Sequence, residues 1–175
     1  MDISRRVLLL SALMTAGCSA PGTFDNSTVK TSAMKDKNTR SFFELYPVGR
    51  VKRNGKSVSL NIFKKYKDAL KGLDGFSHVF VLYWFDRNDT PEKRSILQVH
   101  PRGNKRNPLT GVFACRAPVR PNLIALSLCK IISVKNNIVY IENIDALNNS
   151  PILDIKPYIP SIDHILKDVH VPDWL

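Results

Sequence analysis

The chain has 175 residues, 43% of them hydrophobic and 23% charged, with Lys+Arg 26 against Asp+Glu 15 and a formal net charge of +11. This length suits one domain plus a tail, the apolar fraction excludes a wholly disordered chain, and the spacing of polar residues excludes a multi-span membrane protein. The excess charge points to a polyanionic partner, nucleic acid or an anionic membrane, with an ordinary basic surface as the alternative.

The charge is concentrated. Residues 1–41 carry 6 basic and 3 acidic side chains, residues 42–140 carry 18 and 6, and residues 141–175 carry 2 and 6. Within the first stretch, Arg5 and Arg6 precede a short apolar run, Val7 to Met14, too short to span a bilayer as a helix. Thr15-Ala16-Gly17-Cys18 follows and resembles a bacterial lipobox, with Cys18 as the lipidated residue, while Ser4 to Leu9 resembles a twin-arginine signal. Export and membrane anchoring through Cys18 are the expectation. A start misplaced upstream of Met34 is the alternative. Ser19 to Arg40 is polar, with Pro21 and Gly22, and reads as a flexible tether. The division expected is 1–18 signal-like, 19–41 tether, 42–165 barrel domain and 166–175 tail.

From Phe42 the pattern is mostly strand-like. Pro47 leads into Val48 to Val51, Asn54-Gly55 marks a hairpin turn, and Val58, Leu60 and Ile62 alternate as in a half-buried strand. Tyr66, Ala69, Leu70 and Leu73 predict one short helix over Lys64 to Leu73, ended by glycines. Phe76 to Phe85 is the most apolar run and predicts a central strand. Further strands are expected at Ser95–His100, Gly111–Cys115, Ile124–Val134, Ile138–Ile144 and Asp154–Tyr158, with a turn at Asn136-Asn137. Many short strands, one helix and no βαβ alternation predict a mainly β fold, a small single-domain β-barrel or a sandwich-like domain.

Generic catalytic patterns are missing from the sequence. His78, His100, His164 and His170 lack metal-ligand spacing, and there is no G-x-S-x-G, P-loop or dinucleotide fingerprint. Cys115 and Cys129 are not a CxxC pair, and a structural role is favoured over a redox one. Three segments stand out. Arg116 to Asn122 holds Arg116 and Arg120 on a loop stiffened by Pro118 and Pro121, suited to phosphate or carboxylate, or simply to surface salt bridges. Asp154 and Lys156 share one face of a strand, as an ion pair or a ligand site, with Leu153 and Ile155 on the other. His100 to Asn104 opens a basic loop that is either solvated or laid on phosphates.

These segments have company. Tyr46-Pro47-Val48-Gly49-Arg50-Val51, Gly72 to His78, Val99-His100-Pro101-Arg102-Gly103-Asn104, Gly111 to Arg116, Arg120-Pro121-Asn122 and Leu153-Asp154-Ile155-Lys156-Pro157-Tyr158 stand in that order. In them the chain from about Tyr46 to Asp163 resembles the TsaA-like (TrmO) family, in its short archaeal form. The resemblance implies a β-barrel homodimer that uses S-adenosylmethionine. It implies methylation of N6 of the threonylcarbamoyl-modified adenosine next to the tRNA anticodon, a reaction that needs no strong base and so fits a site without a catalytic histidine or cysteine. By position it implies cofactor contacts from Asp86, Arg87, Arg116 and Leu126, and from the turn Asn148-Asn149-Ser150-Pro151. Arg102, Arg120, Asn122, Asp154, Lys156 and Tyr158 are expected to meet the substrate. Lys105 and Arg106, with Arg102, are expected to meet the tRNA backbone.

The chain departs from the family pattern in three places. The family turn Asp-Gly-Thr-Pro is here Asn148-Asn149-Ser150-Pro151, where Asn149 is still able to take a positive φ and Asn148 to accept a hydrogen bond. Leu123 replaces a proline and is expected to loosen its loop. The Arg-Gln-Pro-Gly segment of longer members is absent after Val51. The function that the resemblance implies is cytoplasmic, whereas the signal-like segment implies export; an exported, lipid-anchored barrel that binds a small ligand or anionic surface without methylation is the competing expectation, and a plain RNA-binding barrel is the third.

Overall fold

The computed structural model describes residues 43–164 and 167–175. The signal-like segment with Arg5, Arg6 and Cys18, and the tether, lie outside the described residues.

Alternation builds a closed barrel. Strands β1 (Gly49–Asn54), β2 (Ser57–Ile62), β3 (His78–Trp84), β6 (Ile124–Lys135), β7 (Ile138–Ile141) and β8 (Pro151–Pro157) pair in the order β1-β2-β7-β6-β3-β8, and β8 returns to β1. Every ladder is antiparallel. Every second side chain points inward, so Val51, Leu60, Val79, Val81, Val139 and Ile152 are fully buried. Each such side chain contributes about 1.5–3 kcal/mol through removal from water. Gly49 sits where β1 crosses closest to β2: a Cβ there would lie 2.5 Å from the Asn61 carbonyl oxygen and 2.9 Å from the Ile62 Cα.

The mainly β barrel expected from the sequence is what the chain forms, with differences in its elements. The first hairpin turn falls on Gly55-Lys56, one residue beyond the expected dipeptide, because Asn54 still pairs with Ser57. Asn136-Asn137 turns as expected, with Asn136 at φ 57°. The expected helix Lys64–Leu73 is a 3-10 helix over Lys64–Leu70, then Gly72 at φ 85° and a second 3-10 turn, Leu73–Gly75. Leu70 and Leu73 are buried and join the hydrophobic core of the barrel. The expected strands Ser95–His100 and Gly111–Cys115 shrink to the two-residue pair β4 (Gln98–Val99) and β5 (Thr110–Gly111), and Val112–Ala114 is a 3-10 turn. Only Val112 of that turn is buried, so little apolar area rewards a longer ladder.

A helix that apolar periodicity did not signal, α1 (Pro91–Arg94), starts at Thr90, whose Oγ1 accepts from the Lys93 N–H at 3.3 Å, with Pro91 in the first position. The last strand begins at Pro151, three residues before the expected start, and a bulge opposite Leu82 and Tyr83 shifts its register. Leu153 and Ile155 therefore do not share a face: Ile155 packs on the core, while Leu153 joins Trp84 and Pro151 in an outer groove. A short α2 (Pro160–Asp163) follows the barrel.

Candidate cofactor site

The site forms where the end of β3 faces the entry to β8 at one mouth of the barrel. After Trp84 the chain turns through a 3-10 turn, Asp86–Asn88, which sets Asp86 and Arg87 at the rim. Opposite them, the loop leading to β8 is pinned to β1. The Asn149 N–H donates to the Val51 carbonyl at 2.8 Å, and the Val51 N–H donates to the Ser150 carbonyl at 3.0 Å. Asn148 Oδ1 accepts from the Arg53 N–H at 3.0 Å. Asn149 holds φ 76°, the conformation a glycine supplies at no steric cost.

Side chains pin the same loop. The Arg53 guanidinium donates through Nε to the Ala146 carbonyl at 2.8 Å and through Nη2 to the Ile144 carbonyl. The Tyr83 hydroxyl donates to the Asp145 carbonyl. Burial pushes the Tyr83 phenol above its ordinary pKa, so it stays a donor across the neutral range.

These walls enclose a cavity of about 390 Å³, a size suited to a small ligand. Asp86 and Asp145 bring carboxylates to it, Arg53, Arg87 and Arg116 bring guanidinium groups, and Phe85, Pro118 and Leu147 bring apolar surface. Of the residues expected to touch a cofactor, Asp86, Arg87, Arg116 and Ser150 line this cavity. Asn148 and Asn149 form the turn behind it, and Pro151 opens β8. Leu126 does not reach it. It points outward from β6, 44% exposed, directly opposite Leu82.

The residues expected to meet substrate fall in two places. Asp154 and Lys156 lie on the outer face of β8 beside Leu82 and Phe80, joined by an ion pair at 3.0 Å, as one of the two sequence readings expects. Tyr158 is further on, with its ring edge-on to His78 and Phe80. From Pro151 to Tyr158 the chain runs about 20 Å along an extended strand, so Tyr158 stands far from the cavity at the other mouth. Asn122 is exposed, and the Arg120 guanidinium donates to the carbonyls of Cys115 and Ala117, each at 3.4 Å, bracing its own loop. Leu123 does not loosen that loop: it is fully buried, at φ 51°, an angle closed to proline.

Arg102 lines a second cavity, of about 780 Å³, between the basic loop and the arginine loop. Lys105 and Arg106 are exposed beside it. The basic loop is held by His100 Nδ1 against the Asn107 carbonyl at 2.8 Å and by Asn107 Nδ2 donating to the Pro101 carbonyl at 3.0 Å. Helix α1 ties down the arginine loop, because Arg94 pairs with Asp89 at 2.7 Å and donates to the Pro121 carbonyl at 2.7 Å. That bond holds the Asp89 carboxyl below its usual pKa. Cys115 and Cys129 are free thiols, and burial of Cys129 pushes its pKa up to about 11.

Sequence reasoning missed Arg53, Tyr83, Phe85, Asp145 and Leu147. Arg53 is one of three basic residues near the end of β1, and alternation alone does not say which one reaches over the barrel mouth. Asp145 lies three residues before the recognised turn, which is the one local signal pointing to it.

The model for the tRNA-methyltransferase O N-terminal domain matches residues 44–164. A probable S-adenosyl-L-methionine-binding protein of Methanocaldococcus jannaschii is 46% identical over 121 residues, 69% of this chain and 96% of that protein. The tRNA (adenine(37)-N6)-methyltransferase of Mus musculus is 42% identical over 106 residues, 61% of this chain but 24% of the mouse protein. The crystal structure of TrmO from Pseudomonas aeruginosa superposes with a TM-score of 0.59 at 25% identity, over 77% of this chain and 62% of that one. This chain therefore spans nearly the whole archaeal relative and only part of the other two. It belongs to the family of the tRNA-methyltransferase O N-terminal domain.

Proposed function

We propose that the chain is an S-adenosylmethionine-dependent methyltransferase acting on N6 of a tRNA adenosine, the threonylcarbamoyl-modified one beside the anticodon. The observation that carries this reading is the 390 Å³ cavity, in which two carboxylates and three guanidinium groups face apolar surface. That donor set fits the cofactor: guanidinium groups suit its carboxylate, carboxylates suit its ammonium and ribose hydroxyls, and apolar walls suit its adenine. Arg87 and Arg116 would receive the carboxylate, Asp86 and Asp145 the ammonium and hydroxyl groups, and Phe85 and Leu147 the ring.

When bound, the cofactor supplies an already activated methyl group. The adenine amino group is a weak nucleophile, because its lone pair is delocalised into the ring. The chain's own task is to align it and to keep water away. No strong base is required, since the nitrogen becomes more acidic as it is methylated. Exposed Lys105 and Arg106 would hold the tRNA backbone. Calorimetry with Arg116→Ala tests the assignment: cofactor affinity is expected to fall at least tenfold, and wild-type affinity would sink it.

A homodimer is part of this reading. Cross-strand pairs Phe80 with Leu128 and Leu82 with Leu126 form an outward apolar stripe, with Leu128 48% exposed. Asp154 and Lys156 flank it. Leu128→Arg is expected to yield a monomer by light scattering, and a wild-type chain that is already monomeric would remove the support.

The lipobox-like Thr15–Cys18 favours a second arrangement, the same barrel anchored at a membrane and binding a ligand without methylation. Recovery with membranes, carrying a lipidated Cys18, would favour it over the tRNA reading.

A further inference from the structure

The family match ends at residue 164, so the segment 167–175 stands outside it. Within this segment every side chain is exposed except Trp174. The Leu175 N–H donates to the Pro172 carbonyl at 3.0 Å, closing a turn that presents the indole. Trp174 and Leu175 wall the 780 Å³ cavity, with Arg102 of the basic loop and Arg116 of the arginine loop on its other sides. The remaining lining is largely small and apolar, including Val99, Ala114 and Ala117. This cavity and the cofactor cavity share two residues, Arg116 and Pro118.

An indole and two arginines lining one pocket, whose other walls are small or apolar apart from His100, already bonded through Nδ1 to the Asn107 carbonyl, suit a flat ring carrying an anionic substituent. We propose that Trp174 is the stacking platform for the target nucleobase, and that Arg102 and Arg116 receive the anionic group attached to that base. The proposal rests on the methyltransferase reading, and it gives the segment beyond the family domain a direct part in substrate binding. Arg116 then belongs to both pockets and sets the base against the cofactor. A hydrophobic latch would also bury an indole, but it would not need two arginines facing the same space.

The test uses the full chain in a Trp84→Phe background, which leaves Trp174 as the sole tryptophan of the two. Titration with an anticodon stem-loop bearing threonylcarbamoyladenosine is expected to quench its emission saturably. Trp174→Ala is expected to weaken stem-loop binding roughly five- to hundredfold, the range for losing one stacked base. Trp174→Phe should recover most of that loss. The cofactor affinity and Tm of Trp174→Ala should stay at wild-type values. Binding without quenching, unchanged stem-loop affinity in Trp174→Ala, or faster turnover in that variant would each overturn the proposal, the last by making the segment a lid. A wild-type chain that binds neither cofactor nor stem-loop overturns the methyltransferase reading and this proposal together. A wild-type chain that methylates the stem-loop no better than Trp174→Ala overturns this proposal alone.

Discussion

Arg53→Met isolates what the loop before β8 owes to one side chain. Methionine keeps the aliphatic stem and removes the guanidinium, which bonds the carbonyls of Ala146 and Ile144. Hydrogen bonds from charged donors are worth about 1.5–3 kcal/mol, but Arg53 is largely exposed and water will take over part of each, leaving about 1 kcal/mol apiece. A loss of about 2 kcal/mol lowers Tm by roughly 6–10 °C in a domain of this size. The same loop carries Asp145, Leu147 and Ser150 to the cavity. Re-ordering even one freed residue on binding costs about 1–2 kcal/mol, so cofactor affinity should drop about tenfold. Thermal melts and calorimetry on the same samples read both effects. Arg53→Lys should fall between, with one donor in place of the fork. If Arg53→Met melted early yet bound cofactor within twofold of wild type, the tether would not serve the site and the reasoning would fail.

Other expectations follow from single features. The Cys129 thiol stays protonated in the folded chain up to about pH 11, while an unfolded cysteine ionises from about pH 8.5. The folded state then holds the extra proton, so stability should decline across that window, and Cys129→Val should show a shallower decline in Tm against pH. Asn149→Gly relieves a non-glycine φ of 76° and should raise Tm by about 2 °C, offset partly by loss of the Lys52 Nζ bond to Asn149 Oδ1 at 3.1 Å; a lowered Tm would mean that side chain matters more than the backbone. Lys105→Ala and Arg106→Ala should each reduce the slope of log tRNA affinity against log salt by about 1, and an unchanged slope would place the RNA elsewhere. Gly49→Ala should destabilise by about 1–3 kcal/mol in chemical denaturation, because its Cβ would meet backbone that cannot rotate away.

How far the sequence carries depends on the range of the interaction. Val58, Leu60 and Ile62 alternate, and Asn136-Asn137 tolerates a left-handed turn, so those strands and that hairpin follow from local chemistry. The excursion between β3 and β6 does not: α1 depends on a four-residue cap-and-proline motif, and β4 and β5 pair over two residues each. Asp86, Arg87 and Arg116 are legible through family motifs, and the cavity gathers them. Arg53 and Tyr83 are not, because each acts on a loop more than sixty residues away in the chain. Leu126 shows the converse, a position that the motif nominates and strand parity turns outward.

The excursion has a consequence for how this fold varies. Strands β3 and β6 are hydrogen-bonded neighbours, yet all the residues between Trp84 and Ile124 intervene. Closing a loop costs entropy that grows only with the logarithm of its length, about 0.6 kcal/mol per doubling. Lengthening or shortening this insert therefore leaves barrel closure almost untouched, whereas one residue added at the two-residue turn Gly55-Lys56 would disturb the register of a whole seam. The barrel thus carries its arginine-bearing apparatus as a nearly detachable module, free to diverge in length and partner while the cylinder beneath it keeps its dimensions.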